Sequence, residues 1–285
     1  MNYSNLNNDI LTEITKLSLL CNISYFVKDS QTYTPTSTDE TKLFQTVSAD
    51  IKNITTSVDY INAITTLSLD GTKLYIAIPG TQGIKDTLDD LQVCQVNSNF
   101  SDVPDEQQIT FHSGFYEQYQ YLLPGITKEV NNFLRSTEYP LINNKQIIIT
   151  GHSLGGATAS IYGCYLKMVH NLDNINVVTF GAPLFTNSIG ADWFENNLNF
   201  TRVEVYGDPV VNVPVLYNLG FQHVKKNHIY ISNFGINLNK SPNYNKPSKM
   251  VLFRIYMNYL FCKNMNTKYH HIMNYIVLVK KYSHF

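Results

Sequence analysis

The chain lacks a surplus of charge of either sign. Its 285 residues hold 21 Lys+Arg against 22 Asp+Glu, and charged residues make up only 15% of the total. Nucleic-acid binders carry a basic excess or stripe, so no nucleic-acid partner is expected. Asn, Thr and Tyr supply the polar surface instead, and they hydrogen-bond without creating a strong field. Cysteine is sparse: Cys21, Cys94, Cys164 and Cys262 are far apart and form no C-x-x-C pair. That excludes the usual zinc and redox patterns. Four reduced thiols are expected, with no metal and no cofactor. Long apolar runs are missing as well. Met250 to Cys262 is interrupted by Arg254 and Asn258 and is too short to span a bilayer. The stretch from Met1 to Leu6 has no basic region followed by an apolar one, so no secretory signal is read. The expectation is an intracellular location, with unconventional export left open. No internal repeat or long linker interrupts the chain, and one domain over residues 1–285 is expected.

Hydrophobic spacing supplies the elements. Residues 9–27 read as an amphipathic helix with Ile10, Ile14, Leu17 and Cys21 on one face. Residues 28–57, rich in Thr, Ser and Asp, read as mostly irregular with short helical turns. Asn62–Leu69 and Lys73–Ile78 flank Asp70-Gly71, a hairpin signal. A helix is predicted over Phe115–Leu134. Gln146–Thr150 is a continuous apolar run, as a central strand covered on both faces requires. A helix follows from Leu154 to about Asn171. Asn176–Phe180 and Thr201–Tyr206 are further buried strands. Strands alternating with helices predict an α/β fold around a mixed, mostly parallel sheet.

Chemistry concentrates at Gly151-His152-Ser153-Leu154-Gly155, a G-x-S-x-G pattern between a buried strand and a helix. A serine there sits on a tight, strained turn, and the flanking glycines remove the Cβ clashes that the turn would create. Gly155, Gly156, Ala157 and Ala159 let the helix lie close to the sheet, with its positive N-terminal end facing the reacting oxygen. Ser153 is therefore the candidate nucleophile.

Such a serine needs an acid and a base later in the chain, in that order. Asp208 closes a buried-strand pattern and is followed by Pro209; Asp173 and Asp192 close none. Of the later histidines, His223 and His228 fall in an expected hairpin and His284 lies at the frayed end. His270 and His271 follow a polar loop, and the residues alone leave the choice between them open. The backbone N–H of Leu154 is the expected first oxyanion donor, and Thr81, in Pro79-Gly80-Thr81, the second.

Taken together and in order, Pro79-Gly80-Thr81, His112-Ser113-Gly114-Phe115, the segment from Thr150 to Ala157, Thr179-Phe180-Gly181-Ala182-Pro183 and the segment from Asp208 to Pro214 resemble the fungal-type class 3 lipases. The similarity covers roughly residues 60 to 280. It implies an α/β-hydrolase fold, Ser153 as nucleophile, Asp208 as acid, a late histidine as base, and Thr81 and Leu154 as oxyanion donors. A tyrosine five residues after the base selects His270 with Tyr275, and His271 is the runner-up. The resemblance also implies a lid at about 83–91, which mixes apolar and acidic residues and would make transient contact with a lipid interface. Gln222-His223-Val224 resembles a position that is not catalytic. Pro79 departs from the family, which usually has arginine there. The implied activity is hydrolysis of lipid esters through an acyl-enzyme, as in a triacylglycerol lipase. A phospholipase or short-chain esterase would use the same triad, and a silent lipid-binding or scaffold protein could keep the fold.

Overall fold

The computed structural model describes residues 8–58, 61–80, 94–100, 108–136, 145–212, 220–238, 270–283 and 285. The first helix, α1 (Asn8–Ser24), is followed by β1 (Gln31–Thr32), α2 (Thr38–Leu43), β2 (Asp50–Thr55), β3 (Asn62–Leu67), β4 (Lys73–Ile78), β5 (Gln95–Asn97) and β6 (Thr110–His112). Then come α3 (Ser113–Arg135), β7 (Gln146–His152), α4 (Leu154–His170), β8 (Ile175–Phe180), α5 (Ser188–Asn197), β9 (Asn199–Val205), a 3-10 turn at Val210–Asn212, β10 (His228–Ser232), β11 (Gly235–Leu238) and α6 (Ile272–Lys280).

Nine strands form one sheet in the order β1-β2-β3-β4-β7-β8-β9-β10-β11, and β5 and β6 form a separate ribbon. The five strands β4, β7, β8, β9 and β10 run parallel to their neighbours. Antiparallel strands flank them on both sides. The sheet is thus mixed with a parallel centre, as expected, and β7 lies between two parallel partners, where its apolar run belongs. The Asp70-Gly71 signal is a real turn: β3 and β4 pair antiparallel, and Gly71 takes φ 66° as the reversal requires.

Period-two alternation divides the strand side chains between two cores. Leu74, Ile76, Ile78, Ile147 and Ile149 face α3 and α4, meeting Phe115, Tyr119, Leu122 and Ile126 of the former and Ala157 and Ile161 of the latter. Tyr75, Ala77 and Ile148 face the other way, against Leu17, Leu20 and Cys21 of α1 and Ile272, Tyr275, Ile276 and Val279 of α6. Burying each such side chain contributes roughly 1.5–3 kcal/mol, so removing either helical layer would strip one face of the sheet. No helix among the described residues is long and apolar enough to cross a membrane.

Several expectations are corrected. Ile10 is exposed, while Leu17 to Cys21 is buried without interruption, so α1 is covered on more than one face. Residues 28–57 include strand β2, whose only apolar residues, Ile51 and Ile54, are three apart and break the alternation that marks a strand. Helix α5 was not expected. It buries only Gly190, Ala191 and Phe194, and the Asn187 side chain caps it by accepting the Gly190 N–H at 2.8 Å. The late hairpin is β10–β11; His228 opens it, and His223 lies before it. The run Met250–Cys262 and the lid segment 83–91 lie outside the described residues. Cys21, Cys94 and Cys164 are free thiols.

Candidate active site

Strand β7 ends at His152, and Ser153 adopts φ 57°, ψ −131°, a conformation L-residues rarely take. The bend is held by the Ser153 N–H donating to Phe180 O at 2.9 Å and by the Gly156 N–H donating to Ser153 O at 2.9 Å. Helix α4 starts at the next residue. Gly155 is forced by contact: a Cβ there would collide with the carbonyls of Ile78 and Pro79 at the end of β4. A Cβ on Gly80 would lie 2.8 Å from Ser153 Cβ, so the segment leaving β4 passes directly against the serine. Leu154, the first residue of α4, carries one of the N–H groups that a helix leaves without an internal acceptor. Thr81 lies outside the described residues.

Asp208 follows β9 through a turn in which Gly207 takes φ 87°. Its carboxylate is buried and fully engaged. It accepts the Val210 N–H at 2.9 Å, the Tyr275 O–H at 2.5 Å and the His270 ring at 2.9 and 2.8 Å from Nδ1. Asp208 thus starts a turn and also orients a histidine. Because a carboxylate only accepts, His270 Nδ1 carries the proton, and in the neutral ring Nε2 is a bare lone pair. That Nε2 is buried and has no hydrogen-bond partner among the described residues, Ser153 included. The Ser153–His270 bond is therefore unmade in this conformation, and apo sites often show such contacts long or absent.

His271 does different work. It is exposed and caps α6 by accepting the Met273 N–H at 3.2 Å. Tyr275, on the buried face of the helix so capped, reaches Asp208. The rivals are placed elsewhere. Asp173 pairs with Lys167, Asp192 lies exposed on α5, His223 is bonded through Nε2 to Val211 O at 2.6 Å, and His228 faces Glu204 at 2.9 Å. His284 lies outside the described residues.

Two residues that sequence reading missed complete the surroundings. The His152 ring lies against the His270 ring, centroids 4.7 Å apart, and His152 Nε2 is 2.7 Å from His270 O. Tyr25, just beyond α1, places its hydroxyl 2.7 Å from His152 Nδ1 and accepts the Gly80 N–H at 2.8 Å. Burial pushes His152 well below its ordinary pKa, with a smaller push from His270 nearby; burial likewise raises the Tyr25 phenol. Both are neutral at physiological pH. Among the described residues no cluster of His, Cys, Asp and Glu could hold a metal ion.

A serine at positive φ between a central parallel strand and a helix, followed by an aspartate after a later strand and a histidine bonded to it, defines an α/β-hydrolase. The comparisons narrow this. The model of the lipase (class 3) family matches residues 75–218, and the chain belongs to that family. It is 29% identical over 154 residues to a lipase of Rhizopus niveus, covering 53% of this chain and 36% of that protein. It is 39% identical over 80 residues to triacylglycerol lipase OBL1 of Ricinus communis, covering 25% of this chain and 15% of that protein. The chain thus spans well under half the length of either relative. The fold superposes on the nonglycosylated LIP2 lipase of Yarrowia lipolytica with a TM-score of 0.65 at 24% identity, over 79% of this chain and 81% of that one. Tyr25 and His270 both fall outside the residues that the family model matches.

Proposed function

We propose that this chain hydrolyses carboxylic esters of lipids, as a triacylglycerol lipase does, through an acyl-enzyme on Ser153. His270 takes the hydroxyl proton as Ser153 attacks the ester carbonyl, and Asp208 holds the imidazole and stabilises its charged form. The proton passes to the departing alcohol as the acyl–oxygen bond breaks. Water, deprotonated by His270, then releases the fatty acid. Leu154 N–H and Thr81 receive the oxyanion, each contributing about 2.7–4 kcal/mol of transition-state stabilisation. Segment 83–91 acts as a lid that exchanges a protein-covered cleft for a lipid surface.

The observation that carries this reading is the buried Asp208–His270 pair, whose Nε2 has no partner among the described residues, on a ring that lies against the residue preceding Ser153. Family membership and the printed names of the two relatives support the ester-hydrolase class and the lipid substrate. The test is turnover of triglyceride, phospholipid and short p-nitrophenyl esters, with fluorophosphonate labelling, for wild type and Ser153→Ala. The expected result is labelled, active wild type that prefers triglyceride, and a folded, inert variant. Preference for phospholipid or short esters would reassign the substrate on the same triad. A wild type that neither labels nor turns over any ester would make the chain a silent member of the family.

A further inference from the structure

A second chain of hydrogen bonds runs behind the candidate triad, and the protons in it can be assigned atom by atom. The carbonyl of His270 can only accept, so His152 Nε2 carries the hydrogen of that 2.7 Å bond. His152 is kept neutral by its burial, which leaves Nδ1 bare. The 2.7 Å contact with Tyr25 is therefore the phenol donating to Nδ1, and the phenol oxygen in turn accepts the Gly80 N–H. The direction is single throughout: Gly80 N–H to Tyr25, Tyr25 O–H to His152 Nδ1, and His152 Nε2–H to the backbone of His270.

We propose that Tyr25 and His152 are positioning residues which lock the segment leaving β4 and the backbone of His270 into one fixed spacing about Ser153. The inference rests on the triad assigned above. Both points of contact lie outside the named strands and helices. Gly80 has left β4, and His270 precedes α6, so neither the β4 ladder nor the α6 ladder fixes them there. Each nevertheless has to be placed to within about half an ångström for catalysis. Tyr25 and His152 are what join them. Gly80 is packed so tightly that a Cβ would lie 2.6 Å from the Tyr25 hydroxyl and 2.9 Å from His152 O. Because Tyr25 holds the Gly80 N–H, that donor is not free for an oxyanion.

The tests use the full chain. Tyr25→Phe keeps the ring and removes the link. His152→Gln keeps a donor near the Nε2 position for His270 O but loses the acceptor for Tyr25. Each is expected to lower kcat on p-nitrophenyl butyrate by about 10- to 100-fold, with KM within twofold, since misplacement of a catalytic group by an ångström has effects of that size. The double variant should be no slower than the slower single, because both act through one chain. Nitrogen NMR should show wild-type His152 as the Nε2–H tautomer. Active wild type, with folded Tyr25→Phe retaining kcat within twofold, or with the two variants multiplying, overturns the relay and leaves the triad standing. An opposite His152 tautomer overturns it too. If Tyr25→Phe fails to fold, His152→Gln is read by the same kcat-against-KM split. Wild type inert to ester and fluorophosphonate alike removes the triad, and the relay with it.

Discussion

Replacing Asp208 by asparagine changes one atom and should nearly abolish turnover. The buried carboxylate accepts from Val210 N–H, His270 Nδ1–H and Tyr275 O–H and donates nothing. The amide must keep its oxygen toward Val210, since turning its NH2 that way would set two donors face to face. The NH2 then lies where Oδ2 stood, beside Tyr275 and His270 Nδ1. Tyr275 can rotate its hydroxyl to accept. His270 Nδ1 stays 2.9 Å from the retained oxygen but faces the NH2 at 2.8 Å, and it avoids opposing two N–H groups there by presenting a bare Nδ1, which moves its proton to Nε2, the nitrogen that should deprotonate Ser153. Imposing the wrong tautomer on a triad histidine lowers kcat by about 10⁴, equivalent to roughly 5 kcal/mol of barrier. Stability should move little, because size and packing are unchanged. The measurement is kcat on p-nitrophenyl butyrate at pH 8, with a denaturant titration as the control for folding. A folded Asp208→Asn protein within tenfold of wild-type kcat would refute this account of the Asp208–His270 pair.

Three further outcomes follow from other residues. Gly155→Ala places a methyl group against the Ile78 and Pro79 carbonyls, so it should destabilise by at least about 1–3 kcal/mol and slow turnover; unchanged melting and kcat would contradict the packing of the bend. Lys145 is buried, and its Nζ donates to the carbonyls of Phe133 at 2.7 Å, Leu134 at 3.2 Å and Ser136 at 2.8 Å, closing the end of α3. Lys145→Met should therefore cost about 2–3 kcal/mol, or roughly 4–10 °C in Tm by calorimetry. Burial pushes His112 down to about 4 from an ordinary 6.5, so the fold holds it neutral. Its contribution is complete above pH 6.5 and is lost as pH falls toward 4, about 2 kcal/mol by pH 5. His112→Asn, which keeps an acceptor for Gly114 N–H, should reduce the difference in urea stability between pH 7 and pH 5 by that amount.

Legibility in the sequence followed how local each signal is. The Ser153 bend was readable because strand, glycines and helix are contiguous, and each is demanded by the same strained geometry. Asp70-Gly71 was readable for the same reason. Asp208 was singled out by its strand ending, although the sequence does not show that its carboxylate serves a turn and a histidine at once. His270 lies 62 residues further on, and nothing local separates it from His271. The spacing to Tyr275 made the choice, and the reason for that spacing is now visible, since it brings the tyrosine hydroxyl to Asp208 Oδ2. Strand β2 was hidden because its two isoleucines enter opposite cores, as a three-residue separation dictates. Tyr25 could not have been found by pattern. A tyrosine after an amphipathic helix acquires a role only when that helix is laid against β4 and β7.

That helix has a partner. Helices α1 and α6 share one core, and their sides are tied by Ser283, just past α6, whose Oγ donates at 3.1 Å to Thr15 Oγ1, the Thr15 hydrogen itself going to Leu11 O at 2.8 Å. The earliest and latest described segments therefore cover together the sheet face behind Ser153. A fragment trimmed to residues 75–218 would retain Ser153 and Asp208 but lose His270. Proteolytic nicking that frees either helix should silence the molecule while most of the sheet still stands, so inactivation and global melting need not coincide.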